Sequence, residues 1–345
     1  MDRSVLIRAI DLQNRGEIGQ AERLFQTYLQ HHPDDPVALY SLAVVLLQRV
    51  DATEAIGLLD AAVQRVQTFA PLWFAHATAI QRIGRREEAL QRFQRAIDLQ
   101  PDYTSALNNS GVLLREMHQH ALALQRFQRV LEVQPNDQMA LSNSATLLTE
   151  FRQSAQAIAT LERLLALNPE YEYAPGMLAY ERLHVCDWRG YDSLKERIIQ
   201  GVQAGRRACK SLPLMSISDS AEDHQRCARI FSSQRYRPSA HPLWRGERYR
   251  HDRIRLAYVS PDLREHPVGH LMAGVFEHHD RDRFELIAIS LGPNDGSSLR
   301  ERMVRSFDHF IDAREMTSQQ IAVRLRGMEV DLAIDLAGYT ADSRN

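Results

Sequence analysis

Small and large apolar residues recur along the first half of the chain with a period of 34 residues. Within each period the apolar positions follow the i, i+3, i+4 spacing of amphipathic helices, as in residues 86–100. Two sets of small residues and one set of large residues share this register. The small sets are Ala9, Ala43, Ala77, Gly111 and Ala145, then Ala21, Ala55, Ala89, Ala123 and Ala157; the large set is Phe25, Leu59, Phe93, Phe127 and Leu161.

This pattern predicts pairs of antiparallel helices that stack on one another. Small residues are needed where two helices cross closely, and large apolar residues fill the layer between neighbouring pairs. Prolines at positions 33, 101, 135 and 169 share the same register, and proline ends a helix because it lacks an N–H donor. The pattern resembles the tetratricopeptide repeat, and we predict an α-solenoid of five repeats over residues 1–171.

Such a solenoid has a concave groove that suits an extended partner. Asn109 and Asn143 occupy equivalent positions, two residues before the small crossing residue, where we expect them to face this groove. A side-chain amide both donates and accepts, so a row of amides can hold a peptide backbone. The alternative is that both are solvated, because Ser41 and Ala75 stand at the equivalent positions of other repeats.

The chain changes character after residue 171. Residues 172–252 predict a helical transition followed by an irregular, proline-bearing connector. Residues 253–345 then alternate between β-prone and helical segments, with strands predicted at 254–260, 284–291, 309–313 and 330–336 and helices at 270–279, 297–307 and 318–327.

Strands that alternate with helices predict a parallel, doubly wound sheet, in which ligands bind at the carboxyl ends of the strands. Two loops fall there, one at 260–270 and one from 337 onward. No helix follows the last predicted strand before residue 345. We therefore expect residues 253–345 to form part of a larger α/β lobe.

Composition narrows the classes of function. The chain is 44% hydrophobic and 25% charged with a net charge of −2, so no bulk charge attracts nucleic acid or an anionic membrane. No apolar run reaches the roughly 18 residues of a membrane helix. The three cysteines form no CxxC pair. We expect a cytoplasmic protein without nucleic-acid or membrane partners.

The most distinctive local sequence is His266-Pro267-Val268-Gly269-His270. Two histidines four residues apart could bind a metal, although a third ligand is missing from the motif. A histidine at the end of a parallel strand could instead accept a proton, or form a hydrogen bond, or simply cap a helix. Asp280 and Asp282 form a D-x-D string of the type that holds a metal in some glycosyltransferases, but they precede a strand, which favours a solvated turn.

Several ordered motifs resemble one family. They are Cys186-Asp187-Trp188, the strand and loop that contain Ser260, Asp262, Leu263, His266 and His270, and the loop Gly338-Tyr339-Thr340 with Arg344-Asn345. Together with the repeats, they resemble the tetratricopeptide-containing protein O-linked N-acetylglucosamine transferases and their SPINDLY-like relatives.

The resemblance implies a GT-B type fold, in which two nucleotide-fold lobes enclose a nucleotide sugar and the first lobe is the one represented here. It implies inverting transfer of a sugar to Ser or Thr of protein acceptors, without a metal or other cofactor. Because the second lobe holds most of the donor site in this family, we expect residues 1–345 alone to show no sugar transfer. UDP-N-acetylglucosamine is the expected donor, and a fucose donor is the alternative.

The family pattern also assigns residues. His266 is the expected catalytic residue, as a base or as a positioning group, and the expected substrate-binding residues are His270, Pro267, Gly338, Tyr339, Thr340, Asn109 and Asn143. The competing interpretation of the whole chain is a non-enzymatic tetratricopeptide-repeat scaffold that binds peptides and carries an incomplete catalytic lobe.

Overall fold

A computed structural model describes residues 3–49, 52–236 and 242–338 of the chain. The chain forms two compact units, residues 1–231 and residues 232–345. The first unit is helical and the second combines helices with a parallel sheet. Within the described residues, no helix is long and apolar enough to cross a membrane.

The first unit contains antiparallel helical hairpins that stack in chain order. The helices are α1 Arg3–Asn14, α2 Ile18–His31, α3 Pro36–Gln48, α4 Ala52–Arg65, α5 Ala70–Arg82, α6 Arg86–Leu99, α7 Thr104–Glu116, α8 His120–Val133, α9 Gln138–Glu150, α10 Ser154–Leu167, α11 Ala174–His184, α12 Tyr191–Gln203, α13 Ser211–Met215 and α14 Ala221–Arg235.

The packing inside the solenoid confirms the predicted roles of the small and large residues. Every alanine of both small sets is fully buried, and the large set is buried as well. At Gly111 a β-carbon would lie 2.8 Å from the Phe127 ring, so the helix crossing in that repeat leaves no room even for a methyl group. The repeats are therefore held together by close helix contact across small residues.

Among the described residues, turns between the two helices of a hairpin recur in the same register. A residue in the left-handed region closes the first helix at Gly16 (φ 79°), Gly84 (φ 81°), His118 (φ 57°), Arg152 (φ 57°) and Cys186 (φ 55°). The last of these lies one period beyond Arg152. The 34-residue register therefore continues past residue 171 into α11, although the sequence pattern fades there.

Helices α11 to α14 share a core with the last repeats. Leu161 and Leu178 belong to the same buried cluster as Ile198 and Cys227. Cys209 and Cys227 are both buried, and the Cys227 thiol donates a hydrogen bond to the Cys209 carbonyl oxygen over 3.1 Å. Because burial raises the pKa of the Cys209 thiol to about 12, this thiol is not reactive.

The second unit is built on four parallel strands in the order β3-β2-β1-β4. The elements are β1 Ile254–Ser260, α15 Pro267–Glu277, β2 Phe284–Ser290, α16 Ser298–Arg305, β3 His309–Asp312, α17 Ser318–Gly327 and β4 Leu332–Asp335. All four predicted strands and all three predicted helices are present, which confirms the α/β fold class.

The two faces of the sheet bury alternate residues of β1. Leu256 and Tyr258 pack with Phe276 of α15 on one face, and Ala257 packs with Ile321 of α17 on the other. The central strands are covered on both faces, which explains their nearly continuous apolar sequence. The sheet therefore holds the carboxyl ends of its strands in fixed positions.

The crossing residues provide a test of the solenoid register. Ala123→Leu is expected to lower the free energy of unfolding by about 1–3 kcal/mol, because the added side chain overpacks a closed helix crossing. Ala121→Leu, on the exposed side of the same helix, is the matched control and is expected to stay within about 0.5 kcal/mol of wild type. Chemical denaturation of the intact chain, followed by its helical circular dichroism, measures both; equal effects would contradict the register.

Candidate functional site

The strand order of the second unit creates one crevice at the carboxyl edge of the sheet. From β1 the chain moves to β2 and β3 on one side, and β4 then pairs with β1 on the other. The carboxyl ends of β1 and β4 therefore lie beside each other. This switch point is where open parallel sheets bind ligands.

The loop at 261–266 joins β1 to α15 and is held tightly at its start. The Ser260 hydroxyl oxygen accepts a hydrogen bond from the Asp262 N–H at 3.0 Å, and both residues are buried. The loop after β2 lies directly against it, since a β-carbon at Gly292 would come within 1.8 Å of the Pro261 carbonyl oxygen. Only glycine permits this backbone approach.

His266 ends this loop as the N-cap residue of α15. Its backbone is extended, and its Nδ1 accepts a hydrogen bond from the Val268 N–H at 3.2 Å. Asp262 is the nearest carboxylate, with Oδ1 at 3.7 Å from the same nitrogen. The His266 side chain is 35% accessible, so it can still meet a ligand.

The other members of the motif have different surroundings. Pro267 occupies the first turn of α15, where its missing N–H costs nothing. His270 is 61% exposed and its Nε2 pairs with Glu265 Oε1 at 2.7 Å. The two histidines thus have separate partners, and this arrangement does not favour the metal interpretation of the motif.

A buried arginine, Arg300, supports the 261–266 loop. Arg300 of α16 is 5% exposed and donates from Nη1 to the Leu263 carbonyl oxygen at 2.9 Å and to the Ser290 hydroxyl at 3.1 Å. Its guanidinium lies 5.0 Å from the centre of the Phe310 ring. Burial lowers the pKa of Arg300. The hydrogen bonds of its side chain compensate for this burial, and the side chain links β2, β3 and the 261–266 loop.

Sequence analysis missed Arg300. The only signal was its spacing, because Arg300 lies on the same helical face as Met303 and Phe307, which are both buried. Its partners lie 37 and 10 residues away, and one of them is a backbone carbonyl, so no local motif reveals them.

A carboxylate links the loops that follow β1 and β2. Asp295 accepts hydrogen bonds from the backbone N–H groups of Glu265 at 2.7 Å and Ser297 at 3.1 Å. These hydrogen bonds lower the pKa of Asp295 to about 2, so the carboxylate stays ionised and keeps the two loops joined at neutral pH.

The loop after β4 begins in a similar way. The Asp335 carboxylate accepts hydrogen bonds from the backbone N–H groups of Ala337 and Gly338, both at 2.9 Å, and Gly338 has a positive φ of 56°. Gly338 thus starts its loop beside the 261–266 loop, because Asp335 pairs with Val259 of β1. The predicted site residues Tyr339 and Thr340 lie outside the described residues.

The D-x-D string does not lie at the carboxyl edge of the sheet. Asp280 and Asp282 are in the turn before β2, at the amino edge of the sheet, and Arg281 between them pairs with Asp308 at 3.0 Å. Across the described ranges, no three His, Cys, Asp or Glu side chains gather as a metal site requires.

The predicted groove residues lie on equivalent helices of the first unit. Asn109 of α7 and Asn143 of α9 are both half-buried. The Asn143 side-chain oxygen accepts a hydrogen bond from Arg115 Nη1 at 2.7 Å. This bond uses one of the two lone pairs of the Asn143 amide oxygen.

Arg300 provides a test of how the loop is supported. Arg300→Met is expected to lower the free energy of opening of β1 and β2 by about 1–3 kcal/mol, because it leaves the buried Leu263 carbonyl and Ser290 hydroxyl without their donor. The control is Arg305→Met on the same helix, where the side chain is 72% exposed and the expected change is within about 0.5 kcal/mol. Amide hydrogen exchange of the intact chain measures both, and indistinguishable variants would rule out the supporting role.

Comparison with known proteins agrees with both units. Residues 227–345 match the model of Glycosyl transferase family 41, and residues 8–68 and 111–172 match a tetratricopeptide repeat model. The chain is also similar in fold to a solved structure. The solved structure of Pseudomonas aeruginosa PilF has a TM-score of 0.50 at 18% identity and covers 67% of this chain and 96% of its own.

Two curated relatives carry transferase names. The chain is 32% identical over 137 residues to the probable UDP-N-acetylglucosamine–peptide N-acetylglucosaminyltransferase SEC of Arabidopsis thaliana, which covers 39% of this chain and 14% of the relative. It is 26% identical over 178 residues to the UDP-N-acetylglucosamine–peptide N-acetylglucosaminyltransferase of Caenorhabditis elegans, which covers 47% of this chain and 15% of that protein. The matched parts are thus a small share of both relatives.

These matches confirm the resemblance that the motifs predicted. The repeats and the α/β unit occur in the order that the family pattern requires. The chain is therefore similar to Glycosyl transferase family 41 over residues 227–345 and to tetratricopeptide repeats over its first half, in the order found in the family of the O-linked N-acetylglucosamine transferases.

Proposed function

We propose that this protein transfers N-acetylglucosamine from UDP-N-acetylglucosamine to Ser or Thr hydroxyls of protein acceptors, and that the repeat groove holds the acceptor chain. The observation that carries this proposal is the 261–266 loop, which brings Asp262 and His266 to the switch point of a family 41 segment. The covalent link of that segment to peptide-binding repeats supports a protein acceptor.

The proposed reaction has simple chemical requirements. A bond forms between the acceptor oxygen and the anomeric carbon of the sugar, while the bond from that carbon to the diphosphate breaks on the opposite face. The hydroxyl proton must leave, and the diphosphate must be stabilised as it gains negative charge. His266 and the Gly338 loop are the groups of this chain that we place beside the sugar.

The resemblance assigns the diphosphate to cationic groups and a helix N-terminus of a second lobe. The described part of this chain then supplies the acceptor side of the cleft. We propose that no metal takes part, because His266 and His270 have separate partners and the D-x-D string lies at the opposite edge of the sheet.

Sugar transfer is the direct test of the proposal. The protein, together with the second lobe that the resemblance implies, is incubated with UDP-N-acetylglucosamine and Ser/Thr peptides, and mass spectrometry detects the added sugar. We expect His266→Ala to lower turnover by about tenfold or more, because at least one hydrogen bond to the reacting groups is lost. His278→Ala, an exposed histidine at the end of the same helix, is the control and is expected to keep full activity.

Four outcomes would change the proposal. If the protein transfers sugar from guanosine diphosphate fucose and not from UDP-N-acetylglucosamine, the proposed donor sugar is fucose. Loss of transfer with a chelator would contradict the metal-free reaction. Peptide binding without transfer from either donor would favour the non-enzymatic scaffold, and an unimpaired His266→Ala protein would remove this residue from the site.

The groove provides a second prediction. Replacement of both Asn109 and Asn143 by alanine is expected to weaken binding of unstructured Ser/Thr peptides by about 1–3 kcal/mol, or about 0.5–1.5 kcal/mol for each hydrogen bond lost. Asn136→Ala is the control, because Asn136 is exposed in the turn before α9. Titration calorimetry measures the peptide affinity of wild type, the double variant and the control. Unchanged affinity in the double variant would show that both amides are solvated and do not bind the peptide.

A further inference from the structure

The chemical role of His266 depends on which ring nitrogen carries its proton. We propose that α15 holds His266 as the Nε2–H tautomer. In this tautomer His266 donates a hydrogen bond to an oxygen of the bound substrate and does not take the proton from the hydroxyl that receives the sugar. The identity of that substrate rests on the proposed function, whereas the tautomer rests only on the geometry of the loop.

The helix uses the lone pair of His266 Nδ1. His266 is the N-cap of α15, Pro267 has no N–H, and the first free N–H of the helix is that of Val268. This N–H donates to Nδ1 at 3.2 Å. A neutral imidazole has one N–H and one lone pair. With the Nδ1 lone pair occupied, the proton belongs on Nε2.

A catalytic base would require the opposite arrangement. In a carboxylate–histidine pair, Nδ1–H donates to the carboxylate and Nε2 is left free to take a proton. Asp262 is the one residue placed for this among the described side chains near His266, but its Oδ1 lies 3.7 Å from Nδ1, beyond hydrogen-bond length. Because Nδ1 cannot accept from Val268 and donate to Asp262 together, the two roles exclude each other.

The surroundings of the loop favour the cap. Helices leave their first N–H groups unpaired, and a cap acceptor satisfies one of them. The start of α15 cannot shift easily, since a β-carbon at Gly269 would lie 2.3 Å from the Arg264 carbonyl oxygen. Arg300 also binds the Leu263 carbonyl. Contacts on both sides therefore keep the Val268 N–H facing the His266 ring.

The consequence concerns what His266 recognises. Its side chain is 35% accessible, so Nε2–H can reach a ligand while Nδ1 stays with the helix. A fixed N–H donor binds an oxygen acceptor such as a phosphate, sugar or peptide carbonyl oxygen. His266 is then a positioning residue for the substrate, and the acceptor proton leaves to a different group.

The tautomer can be measured without substrate. The intact chain is labelled with ¹⁵N-histidine, and long-range ¹H–¹⁵N spectra are recorded at pH 8, above the ordinary histidine pKa of about 6.5. The His266 signals are assigned by their loss in His266→Asn. We expect a protonated Nε2 and an unprotonated Nδ1. A protonated Nδ1 would overturn the proposal.

Asp262→Asn is the matched control for this measurement. If the Val268 N–H sets the tautomer, removal of the Asp262 charge leaves the ¹⁵N pattern of His266 unchanged. A change of tautomer in Asp262→Asn would show that the carboxylate orients the ring, and would contradict the proposal.

Activity gives an independent comparison. His266→Asn keeps a cap acceptor and an N–H donor but cannot act as a base. We expect its turnover to stay within about tenfold of wild type and above that of His266→Ala. Equal losses of about 10²–10⁴-fold in both variants would indicate proton transfer and overturn the donor role. Failure of wild type to transfer sugar would contradict the proposed function and leave the NMR result to decide the tautomer.

Discussion

Close backbone approach at the carboxyl edge of the sheet is the constraint on which the candidate site depends. Gly292 lies against Pro261, and Gly269 lies against Arg264, so the loop after β1 is confined from two directions. Arg300 completes the confinement through the Leu263 carbonyl. A loop that is fixed in this way can present His266 in one orientation, and preorganisation of that kind is what a transferase site requires.

The two units achieve rigidity by different means. In the solenoid, small residues such as Ala89 and Ala123 let helices cross closely, and each contact involves only neighbouring repeats. In the α/β unit, the central strands β1 and β2 are covered on both faces, whereas β4 is exposed along its length. The first arrangement yields a continuous stack of helical hairpins, and the second aligns the strand ends at one edge of the sheet.

The sequence predicts the elements better than it predicts the contacts between loops. Strands β1 and β2 are mostly apolar because their central residues are buried, and the 34-residue register identifies the solenoid, so both could be predicted directly. The continuation of the register to Cys186 was hidden, because His118, Arg152 and Cys186 replace the glycine that usually marks a left-handed turn. Capping by His266 was one of several roles that the sequence left open, and the sequence could not choose among them because histidine is an uncommon cap and the bond depends on the ring orientation.

The central claim is that the carboxyl edge around β1 and β4 receives the substrate. Chemical-shift mapping of the protein with UDP-N-acetylglucosamine and a Ser/Thr peptide tests this claim most directly. The account predicts changes concentrated in residues 261–266 and 335–338. Changes concentrated at the amino edge around Asp280 and Asp282, with the carboxyl edge unaffected, would contradict it.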